Sequence, residues 1–317
     1  MKKIKNTSTG FDDSYSTRFA KDWHKNWKLY AIFLPILVYY IVFCYIPMYG
    51  IIIAFKDFTP INGIFGSKWV GFKHFIDFFQ SADFGRILFN TLNISLNSLL
   101  WSFPAPIILA LMINEVKSTK FKKTIQTITY MPHFVSLVVA CGIITSFMSD
   151  SGLITNMLYS MGFLDEKVNM LGQKEVFVPT YILSSIWQEV GWGSIIYLAA
   201  LSGINMDLYE AASIDGAGRW RQLFSITIPS IMPTIIIMLI LRIGSIMSVG
   251  FEKIILLYNP LTYETADVIS TYVYRRGLME FNFSYSTAVG VFNSLINYGL
   301  IIMANGISRK FNDSSIW

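Results

Sequence analysis

The chain has 317 residues, of which 53% are hydrophobic and 14% charged, with a net charge of +5 at pH 7; an average soluble domain carries about 25% charged residues. So few charges cannot cover a soluble globule of this length, and a mean hydropathy of +0.49 excludes a disordered chain and a secreted disulfide scaffold as well. What remains is an all-α polytopic membrane protein, with room for about six helices of roughly 20 residues each.

Residues 1–28 carry seven basic side chains (Lys2, Lys3, Lys5, Arg18, Lys21, Lys25 and Lys28) and read as a charged tail. The first apolar run begins near Tyr30 and is too long for the core of a cleavable signal, so none is expected. Six apolar runs follow: residues 29–55, 87–114, 124–148, 178–204, 228–250 and 285–307. None alternates as a membrane β-barrel strand does. The tail, residues 115–124, the Arg219–Arg221 region and the Arg309–Lys310 end hold fifteen of the 25 basic residues; the alternate loops hold nine over longer stretches. By the positive-inside rule both termini are expected in the cytoplasm. Scattered in this way, the basic residues do not form a nucleic-acid face. Cys44 and Cys141 both lie in apolar runs and read as small hydrophobes.

Prolines punctuate the runs: Pro35, Pro47, Pro104, Pro106, Pro132, Pro179, Pro229 and Pro233. Each removes a backbone donor, so bent helices around a polar interior are expected. Polar residues inside the runs mark the same interior. Asn90 is one, and Tyr130 with His133 are weaker candidates that suit interhelical hydrogen bonds. The fourth run carries Trp187-Gln188-Glu189-Val190-Gly191-Trp192, which joins aromatic surface to hydrogen-bonding groups, the mix a sugar ring takes. The two Trp are five residues apart, about 140° round a helix axis, so they do not face one ring squarely. Trp also gathers at membrane interfaces. In the fifth run Arg242 lies near mid-membrane; it reads either as a contact for an anionic or hydroxyl-rich sugar or as a structural partner of Glu189 or of helix-end carbonyls.

Between the fourth and fifth runs lies Asn205–Pro233. Asp207 followed by Glu210 suits a capping box, and Asp215-Gly216 suits a stop. The predicted helix has about two turns, too few to be stable alone in water. With small residues at Ala211 and Ala212, it reads as a docking element for a cytoplasmic partner or as a surface helix packed on its own bundle. The stretch from Phe251 to Ser284 reads as a long external loop. Glu252, Tyr258, Asn259, Tyr263, Arg275 and Arg276 are its candidates for contacting an extracellular protein, with residues 56–86 alongside.

Glu210-Ala211-Ala212, Asp215-Gly216-Ala217, Phe224, Ile226, Pro229 and Pro233 follow the pattern EAAxxDGAxxxxxFxxIxxPxxxP over 24 residues. This resembles the EAA loop of ABC-importer permeases. Tyr45-Ile46-Pro47-Met48-Tyr49-Gly50, Ala54-Phe55-Lys56-Asp57-Phe58, Met131-Pro132-His133-Phe134 and Thr265-Ala266-Asp267-Val268-Ile269 with Tyr272 resemble the LplB-type branch of the carbohydrate-uptake group. The resemblance implies a type I importer permease fold of six transmembrane helices, multi-pass in a bacterial cell membrane. It implies a permease domain over residues 29–308, a coupling loop over 205–228, and cytoplasmic tails over 1–28 and 309–317. It implies that Glu210, Ala211, Ala212, Asp215, Gly216, Ala217 and Arg219 couple to an ATPase subunit. The implied partners are a second homologous permease, two ABC ATPase subunits, an extracellular solute-binding lipoprotein, membrane lipid and an oligosaccharide or polysaccharide fragment. The pathway candidates are Arg242, Trp187, Gln188, Glu189, Trp192 and Asn90.

No GxxxxGK[ST] phosphate loop is present, so ATP and Mg are expected on the partner ATPase and no cofactor on this chain. His24, His74 and His133 show no metal-ligand spacing, and no nucleophile with a paired base stands out; no catalytic or metal residue is expected. An ion-coupled secondary transporter of a polar solute is the competing class. It calls for an internal repeat and midplane carboxylates, and the sequence shows no repeat and few acidic residues in the runs. A membrane scaffold without transport is a third class, separable by its indifference to Gly216→Pro.

Overall fold

The computed structural model describes residues 15–312. Lys2, Lys3 and Lys5 of the charged tail, and the last five residues of the C-terminal tail, lie outside the described residues. The chain divides into two compact units, residues 1–52 and residues 53–317.

The first unit is built on α1 (Tyr15–Tyr40), which leaves helical dihedrals at Asn26 and carries Pro35 within it. Trp23 and Tyr30 stack at 4.9 Å between centroids. A wide π turn, Ile41–Tyr45, follows at once. The cause is Pro47. It has no N–H for the carbonyl of Phe43, so the backbone widens ahead of it and Ile46 donates to the Ile41 carbonyl instead.

The second unit opens with a two-stranded antiparallel hairpin, β1 (Lys56–Asp57) with β2 (Lys68–Trp69), pairing Lys56 with Trp69. The amphipathic helix α2 (Lys73–Gln80) turns its buried face, His74 and Phe78, inward. Next come α3 (Phe84–Asn97) and α4 (Pro104–Glu115), joined by a π turn at Ser98–Ser102 just before Pro104. Then α5 (Thr119–Tyr130), α6 (Leu137–Phe147) and α7 (Leu153–Ser160) lead to the 29-residue α8 (Lys174–Ser202). The short helix α9 (Asp207–Ile214) precedes a third π turn, Leu223–Thr227, ahead of Pro229 in α10 (Ile228–Gly244). The helices α11 (Phe251–Leu257) and α12 (Ile269–Tyr274) precede the terminal α13 (Phe283–Asn312). The expected proline bends are thus realised three times as a widened turn just ahead of the ring.

Among the described residues, four helical stretches are long and apolar enough to cross a membrane: 22–55, 84–115, 219–244 and 283–309. A fifth counts if 119–134 and 137–147 form one span, although they meet at 95°. The third run, 124–148, expected to bend at Pro132, is broken outright into two helices. Pro132 ends α5 in a tight turn at Met131–Phe134, and Val135 and Ser136 are extended. The expected fourth span falls on α8. At about 1.5 Å per residue it is long enough to cross, but Glu175, Gln188 and Glu189 make it more polar than the others.

Close packing depends on small residues of α8. A Cβ at Gly191 would lie 2.0 Å from the Thr129 carbonyl oxygen, so only glycine lets α8 meet α5 here. The buried apolar side chains fall into three clusters, centred on Phe177–Ile254–Val268, Phe78–Met247–Tyr272 and Ala110–Tyr197–Ile231.

The stretch after α10 is not an open loop: it carries short helices, and much of it is buried. Asp267 is fully buried and takes two hydrogen bonds from Arg275, at 2.6 and 3.1 Å, and one from Thr271 at 2.8 Å. Arg276 joins Glu280 at 2.7 Å and Asp83 at 3.4 Å. Arg275 is held well above its ordinary range by Asp267, against the opposing pull of burial.

Candidate functional site

Two places bear on function. The first is the segment around α9. Its start is not the predicted capping box. Asn205, not Asp207, supplies the cap, accepting from the Asp207 N–H at 3.0 Å. Its end is as expected: Gly216 adopts φ +77°. Ala217 N–H donates to the Ala212 carbonyl at 2.8 Å and Gly216 N–H to that of Ser213 at 3.1 Å. These two bonds close a Schellman motif, which a side chain with a Cβ would strain. Gln222 ties the return strand to Ser213 at 2.9 Å and to the Ala217 carbonyl at 3.0 Å. Tyr209 and Thr227 share a hydrogen bond of 2.9 Å, anchoring α9 to the π turn that leads into α10.

What this segment offers outward is apolar. Ile214 is 86% exposed, and Leu208, Trp220 and Phe224 are exposed too. Trp220 and Phe224 stack on each other. Glu210, Ala211, Asp215, Gly216 and Arg219 are exposed, and Ala212 and Ala217 are half-buried. An exposed hydrophobic surface on a locally braced helix has the character of an interaction surface.

The second place is a cavity of about 620 Å³ between α3, α8, α10 and the start of α11. Its walls combine Leu99, Phe103, Ile186, Met238 and Leu241 with Ser95, Ser98, Ser102, Ser185, Ser245 and Ser248. Of the sequence-predicted pathway residues, Gln188, Glu189 and Arg242 line it. Trp187, Trp192 and Asn90 do not. Asn90 is buried and donates to the carbonyls of Glu264 at 2.9 Å and Asp267 at 3.0 Å, a structural duty. Trp192 lies parallel to His133 with centroids 4.4 Å apart, so one of its faces is taken. Glu189 bonds His133 Nδ1 at 3.1 Å. The Arg242–Glu189 pair weighed from the sequence is therefore absent; Arg242 donates to Ser98 Oγ at 2.6 Å.

Sequence reasoning missed Lys253. It is buried against the cavity, donates to Ser185 Oγ at 2.9 Å and lies over the Tyr181 ring. Burial lowers its ammonium to about 8, which leaves it mostly protonated at neutral pH. The serines did carry a signal: Ser95, Ser98 and Ser102 follow the i, i+3, i+7 spacing of one helix face. The candidates for external contact fare differently. Arg275 and Arg276 are engaged in ion pairs, and Asn259 donates to the Leu171 carbonyl at 2.8 Å.

Residues 102–313, which hold the α9 segment and most of the cavity, match the family of binding-protein-dependent transport system inner membrane components. The chain belongs to that family. The permease is similar to Protein LplB of Bacillus subtilis (strain 168), 45% identical over 290 residues and 91% of each chain. It is similar also to the polygalacturonan/rhamnogalacturonan transport system permease protein YteP of the same organism, 46% identical over 91% of this chain and 90% of that one. In the crystal structure of a bacterial ABC transporter involved in the import of the acidic polysaccharide alginate, one chain matches with a TM-score of 0.86 and 48% identity, covering 93% of this chain and 99% of that one. A chain of the alginate transporter in complex with an alginate pentasaccharide-bound periplasmic protein matches at 0.87 with 47% identity, covering 94% and 100%. The permease is thus an all-α, membrane-spanning subunit of the type I ABC importer class. It is a transport component and not an enzyme, its ATPase being a separate chain.

Proposed function

We propose that this permease imports oligosaccharides or polysaccharide fragments across a bacterial cell membrane by alternating access, paired with a second homologous permease. Six spans are proposed, with α8 as the fourth and both termini cytoplasmic. An extracellular solute-binding lipoprotein delivers the sugar, in keeping with the pentasaccharide-bound periplasmic protein found in complex with the alginate transporter. Two ABC ATPase subunits carry ATP and Mg. Each clasps a coupling helix, here α9, in a cleft. Closure of the ATPase pair moves α9, the Tyr209–Thr227 bond passes that motion to α10, and the cavity beside Arg242 changes its access. The binding protein meets the outer segments, residues 56–86 and the exposed parts of 251–284, Glu252 among them.

The observation that carries this reading is the surface of α9: apolar, locally braced, and bonded to the base of a cavity-lining helix. Glu210 lies in its first turn and Asp215 at its end, Ala211, Ala212, Gly216 and Ala217 allow close approach, and Arg219 lies at its edge. Ile214→Glu tests it. Ile214 is 86% exposed, so the fold tolerates the change. A carboxylate driven into an apolar cleft costs about 2 kcal/mol or more, some thirtyfold in affinity. The expected result is loss of the co-purifying ATPase and of ATP-dependent uptake, with thermal stability unchanged. Retained ATPase and normal uptake would overturn the reading.

A further inference from the structure

The start of α5 is a basic patch. Lys117, Lys120, Lys122 and Lys123 fall within seven residues, and Glu115 is the one acid between residues 115 and 124. Lys117, Lys120 and Lys123 are exposed, and Lys122 is half-buried. Among the described residues, none of the four has a carboxylate within 4 Å. The first turn of α5 holds no acidic residue either. Like charges this close repel one another, and no carboxylate of the described chain offsets them. Beside the patch runs an apolar stripe. Phe121, Ile125 and Ile128 follow the i, i+4, i+7 spacing of one helix face. Phe121 is 58% exposed and Ile128 64%. Lys120 and Lys122 stand about 100° to either side of Phe121.

The depth of these residues says what covers them. The stripe leads to Met131 and on to α6, in the segment apolar enough to cross as one broken span. Thr129 meets α8 at Gly191, near the middle of that 29-residue helix. Lys120 lies about 14 Å back along the α5 axis, close to half of a ~30 Å hydrocarbon core. The stripe is therefore at acyl-chain depth and the lysines at the membrane's edge. Each ammonium offers three donors and no acceptor, and phosphodiester oxygens accept. A zwitterionic headgroup brings its own cation, which opposes the four lysines; an anionic headgroup does not. An acidic protein segment would meet the lysines but leave the stripe to lipid. We propose that Lys117, Lys120, Lys122 and Lys123 form a site for anionic phospholipid, with the acyl chain laid along Phe121, Ile125 and Ile128. None of these residues lines the cavity. The site needs only that the chain spans a membrane, and it stands apart from the importer reading.

The test uses the whole complex, both permeases with the ATPase, in detergent. Phosphatidylglycerol and phosphatidylcholine with the same acyl chains are added in turn, and bound lipid is counted by native mass spectrometry. The wild type binds phosphatidylglycerol in preference to phosphatidylcholine. Each lysine removed lowers that preference about fivefold, so Lys120→Gln with Lys122→Gln lowers it roughly twenty-fivefold. Lys120→Arg with Lys122→Arg holds it within about threefold of the wild type, because charge is kept. Both positions face outward or partly so, and every variant is compared as the intact complex with its ATPase bound. Inorganic phosphate at the same concentration leaves the bound lipid in place, since it gains nothing from the apolar stripe. A wild type that binds the two lipids equally overturns the proposal. So does a preference that the glutamine pair leaves unmoved, one that the arginine pair loses as fully as the glutamine pair, or displacement of the lipid by inorganic phosphate.

Discussion

Residues 205–227 and 251–284 both read from the sequence as polar connections between spans, and the structure treats them in opposite ways. The first holds itself together with bonds between near neighbours and turns Leu208, Ile214, Trp220 and Phe224 outward. The second is tied to distant parts of the chain: Asn90 reaches Asp267, Thr91 accepts from the Ile269 N–H, and Asp83 meets Arg276. The first leaves its apolar side chains open to a partner; the second holds this chain together. Damage to the first should therefore cost transport without stability, and damage to the second should cost stability first.

Asp267→Asn breaks this distinction most severely if it is wrong. It leaves the Arg275 guanidinium without its buried partner, for an expected loss of about 3–5 kcal/mol. Thermal unfolding in nanodiscs measures it, and Arg275→Met on the same background restores part of the loss by removing the unpaired charge. Gly216→Val comes next. A β-branched residue at φ +77° costs about 1–2 kcal/mol, confined to the segment. Global unfolding should stay near the wild-type temperature while uptake and sugar-stimulated ATP hydrolysis fall together. Glu264→Gln is the smallest. Its pair with Lys174 spans 2.9 Å but is exposed on both sides, so the expected change is below about 1 kcal/mol, in either direction. A large loss there would mean that the outer segment's surface pairs matter as much as its buried ones.

The contrast also explains what the sequence could tell. The α9 segment was legible because its determinants are local: Gly216 at the stop, small residues at Ala211 and Ala212, and spacing that needs no partner elsewhere in the chain. Only its start was misplaced, because Asp207 is itself the first helical residue and its N–H is taken by Asn205 Oδ1. The apolar runs were legible for the same reason. The bend at Val135–Ser136 was half-legible through Pro132, but its 95° angle is set by packing. The cavity was legible only in part. Arg242, Gln188 and Glu189 stood out as polar residues in apolar runs. Lys253 did not, because it follows the fifth run by three residues and counts as a loop charge until the chain folds back. The His133–Trp192 stack joins residues of separate elements through the close approach at Gly191, and no spacing rule announces that.

The widened turn at Leu223–Thr227 sits where the outward-facing segment meets α10. It holds one residue more per backbone ring than an ordinary helical turn. That surplus is slack: drawing it in would slide α10 by about 1.5 Å along its axis and turn it by about 100°. A tug on the α9 end would then arrive fifteen residues further on as a change in which way Arg242 faces.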